Sequence, residues 1–227
     1  NLKVKSLPGI TSWRYISIGN SYTNCANMNN TSNASFYGIS DDDNEIDPHL
    51  LKNSEWGAIA YLTQSSYGRN QNEITINNDS EYITGSAGSS TNASSNVGTT
   101  NDYTDSKGVL ASTTGNQTGI YDMSGGTWEF IAGYINNGNS RLTTNGQALL
   151  DAPEEHKNVY DAYDSNGELI TSGTDNRANN YDKGMKNIFG DAIYETSSTY
   201  SGYKSWHGDY SYCPYSSTPF FRKRRLL

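Results

Sequence analysis

Three histidines, two cysteines and 24 acidic residues hold the groups of this chain that could do chemistry. His49, His156 and His207 stand far apart, each in a different local setting. None belongs to a His-Glu-x-x-His metal helix. The chain also has no Gly-x-Ser-x-Gly elbow and no phosphate-binding glycine loop. Cys25 and Cys213 form no Cys-x-x-Cys pair or Cys-His cluster, which argues against a structural zinc site. They are either one long-range disulfide or two separate thiols. Glu154 and Glu155 suggest the paired carboxylates of a glycosidase, but adjacent acids in a polar stretch read as a solvated face. The run Asp41-Asp42-Asp43-Asn44 lacks the spacing and distal Glu of an EF-hand loop and reads as a solvated loop. Glu129 is different. It is the lone charge in an apolar strand, and a buried carboxylate must be paired with backbone amides or an Arg, or bound to a cation.

Recognition chemistry is better supplied. Trp206, His207, Tyr210, Tyr212 and Tyr215 fall within ten residues, among Gly, Ser, Asp and Pro. Tyr offers large contact area at low entropic cost, and Ser and Gly let a loop adapt to a partner. About half of these aromatics are expected to pack inward. The whole chain shares this character: only 33% of its 227 residues are apolar, yet 18 are Tyr. Charged residues make up 18%, too few for a disordered polyelectrolyte, so a folded, loop-rich chain is expected. The net charge of −8 disfavours nucleic acid, whose phosphates demand Lys and Arg. The single basic run, Arg222-Lys223-Arg224-Arg225, is too short to change that. No apolar run is long enough to span a membrane.

The elements that must position these groups are few. Residues 13–18 (Trp13, Tyr15, Ile16, Ile18) read as an early strand. Residues 20–48 read as irregular. Residues 48–68 are the best helix, with Trp56, Ile59 and Ala60 on one stripe and Ala58, Tyr61 and Leu62 on a second, as in a largely buried helix. Residues 73–76 read as a short strand and 84–101 as a long Thr/Gly/Ser surface loop. From Trp128, Phe130, Ala132 and Tyr134 alternate with Glu129, Ile131 and Ile135, which describes a central strand apolar on both faces. Residues 136–187 read mostly as loop, with room for a short helix over 151–163, and 192–196 as a strand.

Two of these stretches carry a family resemblance. GIYDMSGGTWEF, residues 119–130, resembles the GLYDMxGNVWEW signature of formylglycine-generating-enzyme-like (sulfatase-modifying factor) domains. NSEWGAIA, residues 53–60, resembles their TEAEWEYAA helix, and the order agrees. The match covers residues 45–135 directly. The wording is most similar to variable, receptor-binding proteins of gut Firmicutes and their phages, which include products of diversity-generating retroelements. The resemblance implies an α+β, C-type-lectin-like fold with one or two helices, a small antiparallel sheet and long irregular loops, over residues 1–227 as one domain. The family's calcium ligands map onto Gly125, Thr127 and Glu129, with Gly126 departing from the family's Asn.

The family's copper enzymes use a cysteine pair after a turn that this chain does not reach. Residues 222–227 resemble no family segment, so the chain is expected to be truncated before the last strands, with those residues making few contacts. No catalytic constellation is expected. The function so implied is a non-catalytic binding domain of a phage tail or bacterial surface protein, outside the cell or on a virion, with a protein or glycan receptor as partner. A truncated formylglycine-generating oxidase and a structural surface module are the alternatives.

Overall fold

The computed structural model describes residues 7–10, 12–13, 15–72, 77, 85, 101–123, 129–136, 138–161, 166–169, 210–212 and 220–224. Their architecture is α+β: four α-helices and a four-stranded sheet. The helices are α1 (Ile18–Ala26), α2 (Thr31–Tyr37), α3 (Asn53–Leu62) and α4 (Ser140–Leu150). The strands are β1 (Glu129–Asn136), β2 (Asn158–Asp161), β3 (Tyr210–Tyr212) and β4 (Phe220–Arg224), in the order β2-β1-β4-β3.

β1 is central, as its alternation predicts. It is flanked by β2 in parallel and β4 in antiparallel. The sheet is therefore mixed rather than antiparallel. A parallel neighbour needs a long crossover, and the segment between β1 and β2 supplies one that contains α4.

The strand expected over residues 13–18 is absent. Residues 12–13 and 15–17 form no strand, and Ile18 opens α1. The Oγ of Ser17 accepts from the Asn20 amide at 3.2 Å, which satisfies one of the orphan donors at a helix start. Ile18 and Tyr22, four apart, then bury one face. The irregular stretch expected over 20–48 likewise holds α1 and α2. Asn30 caps α2 at its start, and Gly38, at φ +68°, closes it in the left-handed conformation that glycine tolerates best.

The helix expected over 48–68 is confined to α3, and turns follow it. Trp56 and Ala60 are buried, but Ala58, Tyr61 and Leu62 face solvent, so α3 is amphipathic rather than buried all round. The loop expected over 136–187 contains α4, which buries Leu142, Gly146 and Leu149. The helix expected within 151–163 is one 3-10 turn, Glu154–His156, leading into β2.

The expectation that residues 222–227 make few contacts fails for 222–224, while 225–227 lie outside the described residues. Residues 222–224 belong to β4, which pairs with both β1 and β3. The register sets Lys223 opposite Glu129, and the ladder satisfies backbone groups along the edge of β1.

The main core lies where α1 and α4 cross over β1. It gathers Ile18 and Tyr22, Ala132 and Tyr134, Leu142, Leu149 and Ala152. The two helices approach closely at Gly19, where an added Cβ would stand 2.9 Å from the Asn145 carbonyl oxygen. Trp56 is fully buried and donates its Nε1–H to the Met123 carbonyl at 2.9 Å. Asp122 beside it is buried at φ +63°, and its carboxylate accepts from Asn77. Trp128, the strands expected over 73–76 and 192–196, and nearly all of the loop over 84–101 lie outside the described residues.

Candidate functional site

Two consecutive residues of β1 hold two segments that are distant in sequence. The Ala132 amide donates to the Leu51 carbonyl at 2.8 Å, and Gly133 pairs in register with Asn158. The start of α3 is then tied across to β2. Asn53 donates its amide to the Tyr160 hydroxyl at 2.9 Å, and the Ser54 amide donates to the Asn158 side chain at 3.1 Å. Lys52 reaches back to the Glu155 carbonyl. His49 stands two residues before Leu51, and His156 two residues before Asn158. Anchored this way, the two imidazoles stack in parallel, with centroids 4.7 Å apart and planes 6° from coplanar.

Each ring is held by oxygen. His156 Nε2 lies 2.8 Å from Asp47 Oδ1, and its Nδ1 lies 3.2 Å from the Tyr22 hydroxyl on α1. His49 Nε2 lies 3.1 Å from both oxygens of Glu55. Its Nδ1 lies 2.9 Å from the Asp47 carbonyl and 3.5 Å from Asp47 Oδ2. The imidazoles are largely covered, at 18% and 16% side-chain exposure, whereas Asp47 is 57% exposed. The cluster is therefore open to solvent on the carboxylate side.

Electrostatics tighten the frame. Burial alone would raise the Glu55 carboxyl, but the Lys52 amide and ammonium and the His49 ring outweigh it and hold the group below the usual carboxylate range. Burial first, and then the charges of Asp47 and Glu155, push the Tyr22 phenol above the usual tyrosine range. Asp47, His49 and His156 each offer one ligand atom, and the three atoms lie within 4.8 Å of one another.

Few of the residues expected to do the work are among the described residues. Tyr210 and Tyr212 are in β3, opposite Arg224 and Arg222 in register. Trp206, His207 and Tyr215 lie outside the described residues, as do Gly125 and Thr127. Glu129 opens β1 and is half-buried. Glu154 and Glu155 are exposed, as a solvated face should be. Cys25 is a thiol that burial pushes above its usual range, and Cys213 lies outside the described residues.

Sequence reasoning missed Asp47, His49, His156 and Tyr22 as a group. The only local signal was a carboxylate beside each histidine, Asp47 two before His49 and Glu155 next to His156. Among the described residues no helix is long and apolar enough to cross a membrane. Comparisons with family models, curated proteins and solved structures find no match to this chain.

Proposed function

We propose that this chain is a non-catalytic ligand- or receptor-binding domain of the C-type-lectin-like class, displayed on a bacterial surface or a phage particle. The observation that carries the reading is the buried hydrogen bond from Trp56 to Met123. It joins the two segments whose wording resembles formylglycine-generating-enzyme-like domains, 67 residues apart in the chain. The surface supports a binder as well. Tyr15 and Tyr67 are almost wholly exposed, and exposed aromatics amid Ser, Asn and Gly are the material of adaptable recognition surfaces. The partner is a protein or glycan receptor on a cell surface, met by Trp206, His207, Tyr210, Tyr212 and Tyr215. Of these, Tyr210 and Tyr212 lie on β3, at one end of the strand order.

The test is binding of the whole chain to a glycan array and to intact bacterial cells, beside a Tyr210→Ser/Tyr212→Ser variant. Saturable binding that the variant weakens roughly 30-fold, as loss of an aromatic hot spot does, is the expected result. No saturable binding, or copper-dependent conversion of a peptide cysteine to formylglycine by the chain, would overturn the reading.

A structural calcium belongs to the same proposal, with Gly125, Thr127 and Glu129 as its ligands. Calcium should then raise Tm, since a ligand specific to the folded state stabilises it, and Glu129→Gln should abolish the rise. An unchanged Tm at saturating calcium would overturn the calcium reading.

A further inference from the structure

We propose that Asp47, His49 and His156 form a binding site for a divalent transition metal ion of the zinc type. The donor set selects the metal class: two imidazoles and one carboxylate suit Zn2+ and its neighbours, whereas Ca2+ and Mg2+ prefer oxygen alone. The spacing is close to what binding needs. His156 Nε2 and Asp47 Oδ1 are 2.8 Å apart, and Asp47 Oδ2 and His49 Nδ1 are 3.5 Å apart. Ligand atoms around a tetrahedral zinc lie roughly 3.4 Å apart, given metal–ligand distances near 2.1 Å. The widest separation in the trio is at most 4.8 Å. Because the rings stack 6° from parallel, binding requires them to tilt out of the stack. His49 Nδ1 must also leave the Asp47 carbonyl, 2.9 Å away, as the exposed Asp47 side chain turns inward.

The far side of each ring is already arranged for a metal. A ligating imidazole donates its other N–H to an oxygen, which orients the ring and raises its basicity. For His49 that oxygen is the Glu55 carboxylate, 3.1 Å from Nε2, itself fixed by Lys52. For His156 it is the Tyr22 hydroxyl, 3.2 Å from Nδ1.

A hydroxyl both donates and accepts, so Tyr22 serves either state. With its proton on Nε2, a neutral His156 donates to Asp47 and accepts from Tyr22 at Nδ1. With metal on Nε2, the ring proton moves to Nδ1 and is donated to Tyr22. Three protein ligands leave coordination positions for water or for an oxygen of a bound molecule, and the exposure of Asp47 provides the way in.

The experiment is titration of the whole chain with Zn2+ by calorimetry and with Co2+ by visible absorption, beside long-range 1H–15N spectra of the histidine rings. The expected result is one Zn2+ per chain, with ring resonances of both His49 and His156 moving. His49→Ala and His156→Ala should weaken binding at least about tenfold, and Tyr22→Phe, which removes only an outer partner, about tenfold. Glu45→Gln, an exposed carboxylate outside the cluster, should leave the affinity unchanged. If the alanine variants fail to fold, the wild-type ring spectra decide alone. Zn2+ that moves neither ring, or moves only His207, overturns the proposal, as does an affinity that His49→Ala and His156→Ala leave intact.

Discussion

Replacing Trp56 tests the packing that joins α3 to the segment ending at Met123. Its side chain is fully buried, and its Nε1–H satisfies the Met123 carbonyl at 2.9 Å. Trp56→Ala removes the ring and opens a cavity, a change that costs about 3–5 kcal/mol in buried sites. It also orphans a buried carbonyl, which costs about 1–3 kcal/mol more. The two overlap, because water entering the cavity can reach the carbonyl, so about 4–6 kcal/mol is expected. Whole domains are stable by only about 5–15 kcal/mol, so this variant should sit near unfolding. Trp56→Phe separates the contributions. It keeps most of the apolar contact but deletes the donor, and should cost about 2–3 kcal/mol. Urea unfolding followed by far-ultraviolet circular dichroism measures both. A Trp56→Phe variant within about 0.5 kcal/mol of wild type would refute the argument, because the buried carbonyl would then not depend on the indole.

Gly19→Ala gains up to about 1 kcal/mol of helix propensity, but its Cβ would meet the Asn145 carbonyl oxygen at 2.9 Å and the Gly146 Cα at 3.4 Å. Backbone cannot rotate away as a side chain can, so overpacking should win by about 1–2 kcal/mol and lower Tm in scanning calorimetry. Lys157 is buried and donates to the Leu150 carbonyl at the end of α4 at 2.7 Å. Lys157→Met keeps the stem and loses the donor, for about 1–2 kcal/mol in urea unfolding. The Tyr22 phenol is raised in the folded chain, mainly by burial, so its contribution is complete below the usual tyrosine range and is lost as pH rises through the raised value. Tyr22→Phe should therefore flatten the alkaline limb of Tm against pH. The Glu55 carboxyl is lowered, so its contribution is present at neutral pH and is lost as pH falls below the usual carboxylate range. Glu55→Gln should flatten the acid limb of the same profile.

The elements legible in the sequence are those whose pattern is strong on its own. β1 is an apolar run with period two, and Trp56 and Ala60 mark the inner face of α3. α1 and α4 were illegible for a physical reason. Half of their residues are Asn, Ser, Thr and Gly, whose helix propensity is weak. They are helical because caps and packing hold them: Ser17 caps α1, Asn139 caps α4 through the Arg141 amide, and the two cross at Gly19 and Gly146. Such stability comes from tertiary contact, which propensity does not report. β4 was missed because residues 222–227 resemble no family segment and so read as the end of a truncated chain. Its backbone register with β1 makes residues 220–224 part of the sheet.

The histidine cluster was illegible for a related reason, and its geometry depends on strand register. His49 and His156 are 107 residues apart, so no local spacing could link them. What links them is that Leu51 and Asn158 meet adjacent residues of β1, and each histidine lies two residues upstream of its anchor. The two offsets match, so the rings arrive at the same level and stack. A slip of one residue in the β1–β2 pairing would move His156 by about 3.3 Å and turn its side chain to the opposite face. The stack and the Asp47 contact would be lost together. The ties from Asn53 to Tyr160 and from Ser54 to Asn158 oppose that slip directly, since each fixes α3 to a particular residue of β2. The same contacts that close the fold between α3 and β2 therefore set the distance between the two rings, and the site can be only as well ordered as that closure.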